Sequence, residues 1–188
     1  ELQLLTNHLL KNRSVPYTGA YHIDAVRGEE LLKTEVRHLG GDDPHGVCQP
    51  TGPTRAFHQP YPFQIVQSAG MLVVLFEIDH NFRRIFTDGR DHPKDLDFTW
   101  YGDSIGKYSG NTLTVDTTGL NDKTWLDTAG HQHSDQLRIT ETFTKMDADT
   151  IKWTVTYDDP VFYSRPWSVT LNMRRQKNDI MEMICMEN

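Results

Sequence analysis

The feature that most constrains the fold is a period-two alternation of apolar and polar residues in the C-terminal third of the chain. Successive side chains of a β-strand point to opposite faces, so this pattern predicts antiparallel strands with one buried and one exposed face. The alternation occupies three runs, 136–146, 150–158 and 167–173. The residues that we expect to be buried are Leu137, Ile139, Phe143, Ile151, Trp153, Val155, Val169 and Leu171.

Shorter β-rich runs elsewhere predict further strands, separated by turn residues at hairpin spacing. Residues 71–78 are the most apolar run, and Asp88-Gly89 farther on is a strong signal for a hairpin turn. Residues 29–39 are ambiguous between helix and strand, and the proline-rich stretch from 40 to 62 predicts a long loop that serves as a lid or a covering. The other strands that we expect are 19–26, 63–68, 82–87, 105–108, 113–117 and 180–186.

Eight or nine strands at this spacing imply a β-barrel or a β-sandwich. We expect a mainly β fold, an antiparallel calycin-like or lipocalin-like β-barrel, formed by residues 1–188 as a single domain. The barrel is preferred because the last four strands are successive neighbours with short turns, and a jelly-roll sandwich is the alternative. A short amphipathic helix over residues 2–11 should precede the barrel, since its leucines recur at helical spacing.

Composition and missing motifs argue against several classes of function. The chain has 26 acidic and 19 basic side chains, a net charge of −7, and no basic stripe, so we expect no nucleic-acid partner. No run of eighteen apolar residues occurs, so we expect no membrane span. The Gly-x-Ser-x-Gly elbow, the P-loop and the dinucleotide fingerprint are all absent. We therefore expect no acyl-enzyme hydrolysis, no nucleotide chemistry and no cofactor.

The two cysteines, Cys48 and Cys185, form neither a disulfide framework nor a C-x-x-C metal motif. Their spacing leaves open whether they pair, and we favour two unpaired thiols. The compartment stays open between the cytoplasm and export with a signal peptide already removed. A homodimer stays open as well.

Glu141 is the single residue that says most about function. Its predicted strand places it between Ile139 and Phe143 on the apolar face. Burying a carboxylate without a partner is costly, so Glu141 needs a partner or a proton. One interpretation is a structural ion pair with an inward arginine such as Arg84. The other is a general acid or base whose pKa is raised by desolvation.

His131 and His133 are the second functional feature. In an extended chain both imidazoles lie on one side, a spacing that can hold zinc. No third ligand is fixed by spacing, so we expect no metal and favour one histidine as a proton shuttle oriented by a carboxylate. Asp88 completes the candidate catalytic set, which is Glu141, His133, His131 and Asp88.

Aromatic and polar side chains supply the candidates for substrate binding. Aromatic residues inside a barrel are usually core, but a barrel mouth lined with them also suits a flat, apolar molecule. The acidic run from Asp88 to Asp103 lacks EF-hand spacing, so a calcium loop is not favoured over a pocket rim. The candidate binding residues are His92, Trp100, Asp103, Trp125, Trp153, Tyr157, Glu77 and His80.

Several segments are distinctive as strings: YPFQIVQ at 61–67, DGRDHP at 88–93, TWYGDSIG at 99–106, NDKTWLD at 121–127, GHQHS at 130–134, and DDP at 158–160 with RPW at 165–167. Together they resemble a family of small, often exported bacterial proteins with no established activity. The resemblance covers residues 48–170 and implies that these segments belong to one fold. It implies no activity.

The sequence thus favours a cofactor-independent acid–base enzyme, such as a lyase, dehydratase, isomerase or cyclase. Its substrate, and its expected partner, would be a small, largely apolar molecule bound inside the barrel. One alternative is a lipocalin-like binding protein in which Glu141 has only a structural role. The other is a metal-dependent enzyme that uses His131 and His133.

Overall fold

The computed structural model describes residues 15–20 and 43–185. The predicted helix over 2–11, the ambiguous segment 29–39 and most of the predicted strand 19–26 lie outside the described residues. Within the described ranges the chain forms nine strands, a 3₁₀ turn at Pro44–Val47 and one short helix, α1, at Arg55–His58. The strands are β1 Val15–Ala20, β2 Phe63–Ser68, β3 Met71–Phe76, β4 Phe82–Phe86, β5 Asp103–Ser109, β6 Thr112–Thr118, β7 Arg138–Lys145, β8 Thr150–Asp158 and β9 Trp167–Arg175.

Neighbouring strands in the chain are also neighbours in the sheet. Strands β2 to β9 form one curled sheet, and β1 pairs with both β2 and β9, so the strand order closes into a barrel. Every pairing is antiparallel except that of β4 with β5, which meet as a parallel pair through Phe86 and Ile105. The prediction of a mainly β, barrel-like fold is confirmed. The jelly-roll alternative is wrong, because it requires two packed sheets.

The three alternating runs form β7, β8 and β9, the longest strands of the barrel. Strand β8 pairs along its length with β7 on one side and with β9 on the other. All eight residues that we expected to be buried are between 0% and 9% exposed. The alternation therefore predicted both the strands and the face that each one turns inward.

Two sequence expectations about strand ends are wrong. Asp88-Gly89 forms a bend rather than a hairpin turn, and residues 87–102 are a long loop from β4 to the parallel strand β5. Residues 180–185 do not form a strand and make a single bridge from Met183 to Ile78. The barrel leaves the final segment no place in its sheet, because β1 already occupies the side of β9 that faces away from β8.

The helix α1 lies inside the barrel. Its Phe57 ring centroid is 4.8 Å from that of Phe63 on β2 and 5.1 Å from that of Trp153 on β8. These strands belong to different walls, so a side chain that touches both must fill the space between them. The stretch 51–59 is almost entirely buried. Residues 51–59, part of the stretch that we predicted to be a lid or a covering, therefore lie inside the barrel, and we call them the plug.

A buried ion pair between Arg83 on β4 and Glu141 on β7 also lies inside the barrel. Two nitrogens of the Arg83 guanidinium donate to the two oxygens of Glu141, and Trp153 Nε1 donates to Glu141 Oε1 at 3.0 Å. Glu141 is 0% exposed and Arg83 is 1% exposed. The prediction that Arg84 is the partner of Glu141 is wrong, because the Arg84 side chain lies on the exposed face of β4.

A disulfide joins Cys48 to Cys185, so the expectation of two unpaired thiols is wrong. The bond ties the C-terminal segment to the end of the 3₁₀ turn. The two residues are 137 positions apart, and only the folded chain brings them together. Their spacing therefore held no signal for the pairing.

We expect Glu141→Gln to lower the free energy of unfolding by about 3–5 kcal/mol, because Arg83 would remain buried without its anion. Urea denaturation followed by tryptophan fluorescence measures this change. The matched control is Asp88→Asn, which removes an exposed carboxylate paired with Arg90 and should change stability little. Equal stability of the two variants would contradict a structural role for Glu141.

We expect Cys48→Ser to lower the free energy of unfolding by about 2–5 kcal/mol, because the disulfide closes a long loop of the unfolded chain. The same denaturation measurement applies, with Cys185→Ser expected to match it. Thiol titration of the unfolded wild-type protein without reductant should find no free thiol. Two free thiols would contradict the pairing.

Candidate functional site

The loops at one end of the barrel bring four of the distinctive sequence segments into contact. We call residues 121–135, together with Asp159, the loop cluster. Asn121 N–H donates to Thr99 O at 2.9 Å, which joins segment 121–127 to segment 99–106. Asp127 contacts His131, and Ser134 contacts Asp159, which joins segments 121–127, 130–134 and 158–160.

Asp127 and His131 form the first polar pair of the cluster. His131 Nδ1 donates to Asp127 Oδ2 at 2.6 Å, and the N–H groups of Ala129 and His131 donate to the other carboxylate oxygen. Burial by itself would raise the pKa of Asp127, but the hydrogen bond and the charge of His131 lower it on balance. The His131 ring also packs on Trp167, with 5.2 Å between centroids. Asp127 therefore fixes both the loop and the imidazole.

His133 forms the second pair, with Thr124. Its Nδ1 lies 2.9 Å from Ser134 O, and a carbonyl oxygen only accepts, so Nδ1 carries the proton. In the neutral ring Nε2 then accepts from the Thr124 hydroxyl at 2.8 Å. His133 is 2% exposed, and burial lowers its pKa below the usual 6.5. The ring is therefore a neutral base of fixed tautomer near pH 7.

Asp159 holds the carbonyl partner of His133 in place. Its two carboxylate oxygens accept from Ser134 N–H at 2.6 Å and from Ser134 Oγ at 3.0 Å. It also accepts from the N–H groups of Val161 and Phe162. Asp159 is 1% exposed. The orientation of His133 thus depends on a carboxylate that lies 26 residues farther along the chain.

A cavity of about 540 Å³ lies against the loop cluster. Thr124 and His133 are part of its wall. The rest of the apolar and charged lining includes Trp125, Phe162, Lys123, Asp122 and Asp135. Such a mixture suits a small molecule with one apolar part and one polar part. The arrangement can take a proton at His133.

The interior residues of the predicted site do not share this cavity. Glu141, Trp153 and Tyr157 are each 0% exposed within the barrel, whereas His133 and Trp125 line the cavity at its end. We expected Glu141 and one histidine of the pair to share a pocket, but they do not line this cavity together. His131 does not line it either, since its Nδ1 is bound to Asp127 on the other side of the loop.

A second group of predicted residues meets outside the barrel. His92 Nδ1 lies 2.6 Å from Asp103 Oδ1, and His92 Nε2 lies 3.2 Å from Asp116 Oδ2. This group borders a groove of about 680 Å³ on the outer face of β5 and β6. Asp88 forms an exposed ion pair with Arg90, which lines the same groove. The structure therefore brings His92 and Asp103 into contact. Asp88 is connected to this groove only through its partner Arg90.

The remaining predicted residues hold the chain rather than line these cavities. Glu77 Oε2 accepts from Met181 N–H at 2.8 Å, and His80 Nδ1 lies 3.1 Å from Met183 O, so both bind the C-terminal segment. Trp100 lies half-buried with Lys123 Nζ 6.0 Å from its ring.

Sequence reasoning missed Thr124, Asp127 and Asp159, whose roles arise from loop contacts. The acidic residue four positions before His131 was a weak signal for the first pair, but nothing in the sequence marked the other two. It also missed a buried pair in which Asp79 Oδ2 lies 3.3 Å from His45 Nδ1. Asp79 has a left-handed φ of 59°, and burial raises its pKa.

No family model matches the chain, and no curated protein sequence matches it. Within residues 15–20 and 43–185, no helix is long and apolar enough to cross a membrane. In the same part of the chain, no three His, Cys, Asp or Glu side chains are grouped as a metal site would require.

We expect the free energy of unfolding to fall as pH drops below 6.5, because burial lowers the pKa of both His58 and His133 in the folded protein. The unfolded chain then takes up protons first, so stability is full above pH 6.5 and is lost below it. Denaturation at pH values from roughly 7 to 5 measures the slope. The slope should be smaller in His133→Gln than in the wild-type protein. A pH-independent stability in this range would contradict a buried, neutral His133.

Proposed function

We propose that this protein is a cofactor-independent enzyme that performs acid–base chemistry on a small molecule at the loop cluster, with His133 as its base. The observation that carries the proposal is the fixed, neutral imidazole of His133 at the wall of a cavity of about 540 Å³. A base of this kind needs a lone pair on the cavity side and a pKa near or below the working pH. His133 Nε2 has such a lone pair, and its present donor is the Thr124 hydroxyl.

The proton of the substrate reaches His133 through Thr124. Thr124 lines the cavity and its hydroxyl donates to Nε2, so it can pass its own proton to the ring while it accepts one from the substrate. The Nδ1–H bond to Ser134 O keeps the ring in the tautomer that this transfer requires. When the ring becomes charged, the nearby carboxylate of Asp159 favours the imidazolium.

The proposal gives Glu141 a structural role in place of the catalytic one. Three hydrogen bonds from Arg83 and Trp153 occupy its two oxygens, and it is fully buried. Both oxygens therefore already have donors, and Glu141 does not line the cavity. A lyase, dehydratase, isomerase or cyclase reaction remains the class that we propose, since each depends on a single well-placed base.

The cavity lining supports a small substrate with an aromatic or apolar part and a polar part. Trp125 and Phe162 can pack on the apolar part. We propose a calycin-like or lipocalin-like barrel whose ligand lies at one end, because α1 fills the space where a lipocalin ligand would bind. Binding without turnover is the second candidate, and the same cavity supports it.

We also propose that the protein works in an oxidising compartment, as the often exported family that it resembles would. The support is the Cys48–Cys185 disulfide, since such bonds are rare in reducing compartments.

We expect wild-type protein to accelerate the elimination of nitrobenzisoxazole, a flat aromatic probe whose ring opens when a base removes its C–H proton. Absorbance of the phenolate product measures the rate. His133→Gln should lower the acceleration by about 10²–10⁴-fold, the usual share of a general base. The rate should rise with pH to a plateau whose apparent pKa lies below 6.5, because burial lowers the pKa of His133.

His80→Gln is the matched control, since it removes an exposed imidazole far from the cavity. An acceleration that survives His133→Gln would overturn the proposal. Probe binding without acceleration, seen by quenching of tryptophan fluorescence, would favour the binding protein instead.

A further inference from the structure

We propose that Thr124 is a nucleophile and that the cavity of the loop cluster also hydrolyses small carboxylic esters. The proposal rests on the proposed function, because it uses the same base, and it goes beyond that function by assigning a second reaction to the same cavity. It assigns to the Thr124 hydroxyl an attack on the acyl carbon of an ester bound in the cavity of the loop cluster.

The geometry is that of a nucleophile, a base and an orienting group in series. Thr124 Oγ1 lies 2.8 Å from His133 Nε2, and His133 Nδ1 lies 2.9 Å from Ser134 O. Such a hydrogen-bonded series is the mark of an activated hydroxyl. The backbone carbonyl of Ser134 takes the position that a carboxylate occupies in a serine hydrolase, and Asp159 fixes Ser134 through two hydrogen bonds.

Gly52 packs closely against the Thr124 side chain. It has a φ of +78°, and a Cβ at this position would lie 3.0 Å from Thr124 Oγ1. The glycine therefore lets the backbone approach the threonine side chain closely.

The reaction balances with water as the second reactant. Thr124 Oγ forms a bond to the acyl carbon while its proton moves to His133 Nε2. The bond from the acyl carbon to the alcohol oxygen then breaks, and the alcohol leaves with the proton from His133. Water next attacks the acyl-threonine, gives one proton to His133, and releases a carboxylic acid as the Thr124 hydroxyl is restored.

The missing Gly-x-Ser-x-Gly elbow does not count against this chemistry. That motif belongs to the strand–turn–helix of one hydrolase fold, whereas the series of roles recurs on unrelated folds. In this protein the nucleophile lies on a loop between β6 and β7 of a barrel. The sequence expectation of no acyl-enzyme rested on the motif alone, and the geometry of Thr124 and His133 reopens it.

The test is acylation by para-nitrophenyl acetate, followed by release of para-nitrophenolate and by peptide mass spectrometry. We expect a burst of about one equivalent per protein, since one hydroxyl is acylated before water removes the acyl group. One acetyl group should lie on the peptide that contains Thr124. The burst should vanish in Thr124→Val, persist in Thr124→Ser, and slow by about 10²–10⁴-fold in His133→Gln.

The matched control is Thr140→Val, which alters an exposed threonine on the outer face of β7 and should leave the burst unchanged. A thermal melt verifies that Thr124→Val is folded, and Thr124→Ser keeps the test decisive if it is not. Absence of a burst, an acetyl group on Lys123 alone, or a burst that survives in folded Thr124→Val would overturn the proposal. Acylation could fail while nitrobenzisoxazole elimination still depends on His133. That result would contradict the role of Thr124 as a nucleophile and would support the proposed function.

Discussion

The buried ion pair between Arg83 and Glu141 is the interaction on which the interior of this barrel depends. Arg83 on β4 also donates to Ser104 on β5 and to Thr117 on β6, while Glu141 on β7 accepts from Trp153 on β8. One network thus joins five consecutive strands of the sheet. A charge pair without water is tolerable only when nearly every donor and acceptor has a partner, so a register shift in any of these strands would leave a charge unpaired.

The helix α1 and the ion pair occupy part of the barrel interior, whereas the connections from β6 to β7 and from β8 to β9 meet beside a cavity. Functional groups on loops of a rigid scaffold are common in proteins. In this barrel the scaffold positions His133 through a partner on each connection, Thr124 on the first and Asp159, by way of Ser134, on the second.

The sequence predicted what alternation and local composition control. It placed the last three strands and the burial of Glu141, but it chose Arg84 over Arg83, because β4 begins with an exposed Phe82 and carries two adjacent arginines. We predicted a hairpin turn at Asp88-Gly89 because turn preferences depend on neighbouring residues. The parallel pairing of β5 with β4 depends instead on contacts between residues far apart in the chain. The histidine segment of the candidate site was visible in the sequence. Its partner Thr124 was not, because only the folded loop brings the two side chains together.

The central claim is that His133 is a neutral base whose Nδ1 carries the proton and whose Nε2 accepts from Thr124. Nitrogen-15 NMR of the histidine side chains measures tautomer and charge directly, with His133→Gln to assign the signals. The account predicts that His133 remains neutral and protonated at Nδ1 at pH 6.5, where an exposed imidazole is half charged. A proton on Nε2, or a ring that is already half charged at pH 6.5, would contradict it.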